Sequence, residues 1–249
     1  MSQMRLTIVA FLFLSFWPST MTRAAESNRS TVSKISMQSG GRRIRIDKYA
    51  GPQTARHPAI LVLHGAGGTL LDGPEMRRIA QQLAESGYAV YLLHYFNRTG
   101  TIFGFDAGMQ KNFSPWLETV RDSIKFVRQD SADDAPVGIY GYSLGAFLAL
   151  AAASNNSRVG AVVEHAGGIW NGKTERIGQM PPVLVVHGAG DSRVPFQKYA
   201  RPLTDVLRQR GATFKTLFFP GEGHVFRAQA MVEVRAAALA FFLEHLGKK

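Results

Sequence analysis

The chain has 249 residues, 45% of them hydrophobic, which is enough for a large buried core and too apolar for a disordered chain. It contains no cysteine, which excludes disulfides, thiolate metal sites and a cysteine nucleophile. The formal net charge is +11, yet Arg42-Arg43 and Arg77-Arg78 are the only adjacent arginine pairs, a spread that describes a solvated basic surface rather than a nucleic-acid-binding block.

Residues 1–24 read as a secretory signal peptide. Arg5 supplies a positive start, Leu6 to Trp17 is an apolar run of 12 residues, and Pro18 breaks it. Thr22-Arg23-Ala24 offers a small-x-small cleavage site, and the run is short for a membrane span. Cleavage after Ala24 or Ala25 is expected, leaving one domain over 25–249 in the periplasm or outside the cell. An uncleaved anchor is the alternative. Cleavage after Ala24 removes two of the 29 basic residues and none of the 18 acidic ones, lowering the charge from +11 to +9. Such an excess suits association with an anionic envelope surface or capture of anionic substrates.

The elements follow in order. Residues 31–38 and 42–48 alternate around Gly40-Gly41 and predict an antiparallel hairpin at a sheet edge. Residues 59–63 (AILVL) form a continuous apolar run, the pattern of a strand buried on both faces. It ends in His64-Gly65-Ala66-Gly67-Gly68. Residues 74–86 have helical spacing, and Tyr88 to Leu93 is the next strand. A loop rich in glycine and phenylalanine runs from 95 to 114. A helix over 115–129 follows, with Ser114 as N-cap and Pro115 at N1. Strands at 136–140, 159–163, 183–186 and 213–219 alternate with helices after 146, at 196–210 and at 227–246, with a connection at 166–181. This alternation predicts a mostly parallel central sheet with helices on both faces.

Residues 141–145 read Gly-Tyr-Ser-Leu-Gly, between a strand and an Ala-rich helix. Strand, sharp turn and helix are the context of a nucleophile elbow, with small residues where the turn is crowded. Ser143 is the candidate nucleophile. Its base should lie on a mobile loop after the last strand, which selects His224 in Gly221-Glu222-Gly223-His224. The other histidines near the sheet, 64, 94, 165 and 187, end strands and read as turn or wall residues. The acid should lie between serine and histidine in the chain. Asp191, just after the strand that ends at His187, fits best, with Glu164 as runner-up. The oxyanion donors are expected at the N–H groups of Leu144, directly after the nucleophile, and of Ala66 in the glycine-rich loop. A phosphate cradle fits that loop less well, because no Lys-Ser/Thr pair follows it. No cofactor and no metal are called for.

The elbow at Ser143, the His-Gly-Ala-Gly-Gly loop, Gly-Asp-Ser-Arg-Val-Pro at 190–195 and Gly-Glu-Gly-His at 221–224 resemble the α/β-hydrolase superfamily. Together with Tyr95-Phe96-Asn97-Arg98 and a minimal cap, they resemble its dienelactone hydrolase family over nearly all of 58–249. The resemblance implies an α/β-hydrolase fold and a Ser143/Asp191/His224 triad that cleaves an ester or related acyl bond. Two departures stand out. The best-known members use a cysteine nucleophile, and they carry a glutamate after the position of His64. Both favour a general carboxylesterase acting on a small or medium ester. Substrate contacts are expected from Gly67, Phe96, Arg98, Tyr142 and Trp170, with aromatic residues at 96, 103, 105, 113, 116 and 170 as candidate pocket walls. The competing readings are a serine peptidase of the same fold, a non-catalytic binding module and a cationic surface- or nucleic-acid-binding protein.

Overall fold

The computed structural model describes residues 30–51, 58–131, 135–170 and 174–246; the expected signal peptide lies outside them. Among the described residues eight strands form one sheet, in the order β1-β2-β4-β3-β5-β6-β7-β8. The hairpin of β1 (Thr31–Ser39) and β2 (Arg42–Ala50) turns on Gly40 and Gly41, both at positive φ, where a Cβ is disfavoured. The hairpin pairs antiparallel with β4 (Ala89–Leu93), and every later pair is parallel: β3 (Ile60–Leu63), β5 (Val137–Tyr142), β6 (Val159–His165), β7 (Val183–Gly188) and β8 (Phe214–Phe219).

The helices are α1 (Gly68–Leu71), α2 (Gly73–Glu85), α3 (Asp106–Asp130), α4 (Leu144–Ala153), α5 (Ala200–Gln209) and α6 (Ala228–Leu246). The period of two along β3 sorts its buried side chains to the two faces of the sheet. Leu61 and Leu63 pack with Trp116, Val120 and Leu148 from α3 and α4. Ile60 and Val62 pack with Ile79 and Leu83 of α2 and Val234 and Phe242 of α6. A sheet covered on both faces needs apolar strands throughout, which is why β3 and β7 are buried at every position.

The expected helix over 115–129 is longer than its sequence signals suggest. It starts at Asp106 and carries Pro115 in its interior, so Ser114 is not an N-cap. The buried stripe Met109, Trp116, Val120, Ile124 and Val127 continues through the proline at helical spacing. That packing outweighs the hydrogen bond that Pro115 cannot donate. The loop of 95–114 correspondingly shrinks to a 3-10 turn at Tyr95–Arg98 and a short link to Phe105. The expected helix at 196–210 is confined to α5, because residues 196–199 form turns.

Candidate active site

Parallel strands deliver their C-terminal ends to one edge of the sheet, and the loops leaving β3, β5, β7 and β8 meet there. Leu63 pairs with Gly141 across β3 and β5, so the glycine-rich loop after β3 begins beside the elbow. Ser143 sits between β5 and α4 with φ 52° and ψ −119°, a conformation an L-residue adopts only when its surroundings enforce it. Gly145 explains why the turn is so tight. A Cβ there would stand 2.5 Å from the Leu63 carbonyl oxygen and 2.6 Å from that of His64.

The loops after β7 and β8 are held to each other. Gly190 N donates to Glu222 O at 3.0 Å, and Ala189 N to Phe219 O at 2.9 Å. A Cβ on Gly188 would meet the carbonyl oxygens of Glu222 and Gly223, each at 2.5 Å, so this approach requires glycine. Glu222 braces the same loop by accepting from Arg227 N at 2.8 Å and Arg227 Nε at 2.7 Å.

This scaffold brings Ser143, His224 and Asp191 together. His224 Nε2 lies 2.9 Å from Ser143 Oγ, and His224 Nδ1 lies 2.7 Å from Asp191 Oδ2. The other carboxylate oxygen, Oδ1, accepts from the amides of Arg193 at 2.9 Å and Val194 at 2.8 Å. Burial pushes the Asp191 carboxyl up, but hydrogen bonds from His224 and Val194 and the nearby imidazoles outweigh it, and the net shift is below the ordinary value. An ionised carboxylate is acceptor-only. Nδ1 of His224 therefore carries the proton, and Nε2 is left to accept from the Ser143 hydroxyl.

Ala66, Ser143 and Leu144 line one cleft of about 370 Å³ together with Arg193, Lys198 and Tyr199. Leu144 opens α4, and the first amides of a helix have no partner within it. Trp170 also lines the cleft. Tyr142 packs against the His224 ring and donates its hydroxyl to His224 O at 3.1 Å. The other expected substrate contacts lie elsewhere. Phe96 is buried against Trp116, with ring centroids 4.6 Å apart. Arg98 donates to Gly40 O at 2.5 Å and pairs with Glu118 at 3.4 Å. Gly67 faces the Asp72 carboxylate, where a Cβ would come within 2.6 Å of Oδ1. Of the expected aromatic walls, Phe113 and Trp170 line an apolar pocket of about 240 Å³ with Phe147, Leu150 and Ile177. This pocket shares Gln110, Phe147 and Trp170 with the cleft. Phe96 and Trp116 are buried core, and Phe103 and Phe105 are exposed.

Histidines 64, 94, 165 and 187 are buried and line neither the cleft nor the apolar pocket. His64 stacks on Tyr95 at 4.2 Å, with its Nδ1 2.8 Å from Gly65 O, and burial drives its pKa down to about 3. His165 is also pushed down to about 3 by burial, and Tyr140 OH lies 2.8 Å from its Nδ1. His94 sits 2.9 Å from Asp47 Oδ2. His187 Nε2 donates to Val194 O at 2.8 Å and stands 3.6 Å from Asp191 Oδ2. Glu164, the runner-up acid, is buried and accepts from Gly167 N at 2.5 Å; burial raises its pKa to about 8.

Sequence reasoning missed Asp72, Arg193 and Lys198. Asp72 faces Gly65 and Gly67, and burial raises its pKa against the pull of those two amides and of the His224 and Arg193 charges. Its signal was faint: one acidic residue after a glycine-rich loop.

An open, mostly parallel sheet with these loops at its C-terminal edge is the α/β-hydrolase fold. The model of the dienelactone hydrolase family matches residues 47–244, and the chain belongs to that family. Among solved structures, a dienelactone hydrolase-like promiscuous phosphotriesterase, P91, from metagenomic libraries is 20% identical with a TM-score of 0.74, covering 88% of this chain and 100% of that one. A putative dienelactone hydrolase from Klebsiella pneumoniae is 18% identical with a TM-score of 0.72, covering 87% and 99%. XC6422 from Xanthomonas campestris, described as a serine hydrolase without a lid, is 19% identical with a TM-score of 0.67, covering 88% and 96%. No curated protein matches the chain.

Proposed function

We propose that this chain is a serine carboxylesterase that acts through an acyl-enzyme on Ser143. The observation that carries the reading is the contact of one imidazole, His224, with the Ser143 hydroxyl on one nitrogen and the Asp191 carboxylate on the other. In the proposed first step His224 Nε2 takes the hydroxyl proton as Oγ attacks the ester carbonyl. The amides of Leu144 and Ala66 hold the oxyanion. The carbon–oxygen bond to the alcohol then breaks, and the alcohol leaves with the proton from His224. Water repeats the attack on the acyl-enzyme and frees the acid.

The same reading assigns one apolar arm of the ester to the pocket of Phe113, Phe147, Leu150, Trp170 and Ile177 beside the cleft. Arg193 and Lys198 line the cleft itself, a wall suited to a polar or anionic second arm. Export remains part of the proposal. It rests on the apolar run at 6–17 and the small-x-small site at 22–24.

A panel of p-nitrophenyl esters of rising acyl length, run beside peptide anilides, tests this. Burying a methylene is worth about 0.8 kcal/mol, so kcat/KM should rise about fourfold per carbon until the pocket is full. Anilides should be cleaved far more slowly. Faster cleavage of anilides than of esters would favour a peptidase and contradict the proposal.

A further inference from the structure

Large apolar side chains left in water are unevenly placed on this molecule. Of the ten exposed ones among the described residues, six lie on three segments that adjoin Ala66 or His224 at the cleft: Leu70, Leu71, Ile102, Phe103, Phe105 and Val225. Leu70 and Leu71 end α1, directly after the glycine-rich loop. A Cβ on Gly68 would stand 2.5 Å from the Ile102 carbonyl oxygen, so the 102–105 segment lies against that helix. Gly104 N donates to Ala66 O at 2.7 Å, which fixes Phe103 and Phe105 on either side of a contact with a cleft residue. Val225 directly follows His224. Phe105 and Val225 are 76% and 78% exposed, so these are not core residues glimpsed at the surface.

An apolar collar of this kind carries a free-energy cost in water and marks a binding face. Charge narrows the partner. Arg193 and Lys198 are exposed in the cleft, and Lys111 is exposed on the helix that Phe105 caps. Four acidic groups lie close by, and only Asp106, in the cleft, is exposed: Asp72 is partly buried, Asp191 is buried against His224, and Glu222 is buried and paired with Arg227. The chain carries +11, and +9 once residues 1–24 are removed, which opposes packing one copy against another. We propose that the collar docks on an anionic phospholipid surface, with the apolar side chains entering the headgroup boundary and the basic excess supplying attraction. The cleft would then open toward the lipid. This binding claim goes beyond the esterase reading and stands whether or not Ser143 is a nucleophile.

Co-sedimentation of the mature chain with vesicles tests it, using phosphatidylcholine alone and phosphatidylcholine containing phosphatidylglycerol. The comparison is with Leu70→Asp/Phe105→Asp, two exposed positions outside the proposed chemistry, both proteins being prepared as the expected mature chain from residue 25 so that the apolar run at 6–17 does not itself bind lipid. The wild type should sediment with the anionic vesicles and weakly with the neutral ones. The double variant, melting as the wild type does, should bind at least about tenfold less. Should it fail to fold, Phe105→Ser alone should lower binding in the same direction. Wild-type protein left in the supernatant, equal binding to both vesicle types, or undiminished binding by the variants would each overturn the proposal. Dimerisation abolished by the double variant, without vesicle binding, would overturn it too and assign the collar to a second copy.

Discussion

The hydroxyl of Tyr142 donates to the carbonyl oxygen of His224 at 3.1 Å, which ties the residue before Ser143 to the loop that carries the imidazole. The two loops leave different strands, and this bond joins them together with the contact of His224 and Ser143. A hydrogen bond of this kind contributes about 1 kcal/mol net. Tyr142→Phe keeps the ring against His224 and removes only that bond. On the esterase reading kcat should fall about three- to tenfold with KM little changed. Steady-state kinetics on a soluble ester check this.

Asp191→Asn separates charge from geometry. The amide oxygen can still accept from Arg193 and Val194, as Oδ1 does now. The amide nitrogen would then face His224 Nδ1 as a donor, which favours the wrong tautomer of the imidazole. Turnover should drop by about three to four orders of magnitude while the fold persists. Kinetics together with a thermal melt distinguish the two effects.

Gly145→Ala should strain the elbow itself, because the added methyl meets backbone oxygens of residues 63 and 64 rather than a flexible side chain. Overpacking of this sort costs about 1–3 kcal/mol. For a chain of this size the melting temperature should fall by about 3–10 °C.

The three buried groups with the largest shifts among the histidines and carboxylates pull stability in opposite directions as pH changes. His64 and His165, depressed from 6.5 to about 3, stay neutral in the fold but take up protons when unfolded below pH 6.5. They favour the native state above that pH, and the advantage is lost as pH falls toward 3. Glu164, raised from 4.5 to about 8, keeps its proton in the fold, so its contribution is full below pH 4.5 and is lost as pH rises to about 8. Between 4.5 and 6.5 the two histidines outweigh the single carboxyl; between 6.5 and 8 only the carboxyl acts. Stability from these groups peaks near pH 6.5. Melting temperatures across pH 4–9 check this, and Glu164→Gln should flatten the alkaline limb.

Much of this was readable in the residues because local signals and tertiary demands agree. The elbow needs a strand, two glycines and a helix in immediate succession, and 136–153 supplies all of them in order. His224 and Asp191 were selected by chain order, a property of the fold's topology rather than of distance, and the structure brings them into contact with each other and with Ser143. The start of α3 was hidden because Pro115 is a strong local signal for a helix start, whereas the packing of Met109 and Trp116 into a distant core is not local at all. Phe96 and Arg98 follow the end of β4 at the same edge of the sheet as the site, yet a 3-10 turn directs them to Trp116 and to Gly40 and Glu118. Asp72 reaches the glycine-rich loop only because α1 folds back on it.

The central claim is that Ser143 carries the acyl group. Intact-mass and peptide analysis after treatment with a fluorophosphonate probe, run with ester hydrolysis on wild type and Ser143→Ala, tests it most directly. The account predicts a single adduct on Ser143, loss of hydrolysis in step with labelling, and a variant that takes no label and is slower by at least about 10⁴-fold. A Ser143→Ala protein that hydrolyses esters at the wild-type rate, or an adduct at a different residue, would contradict it.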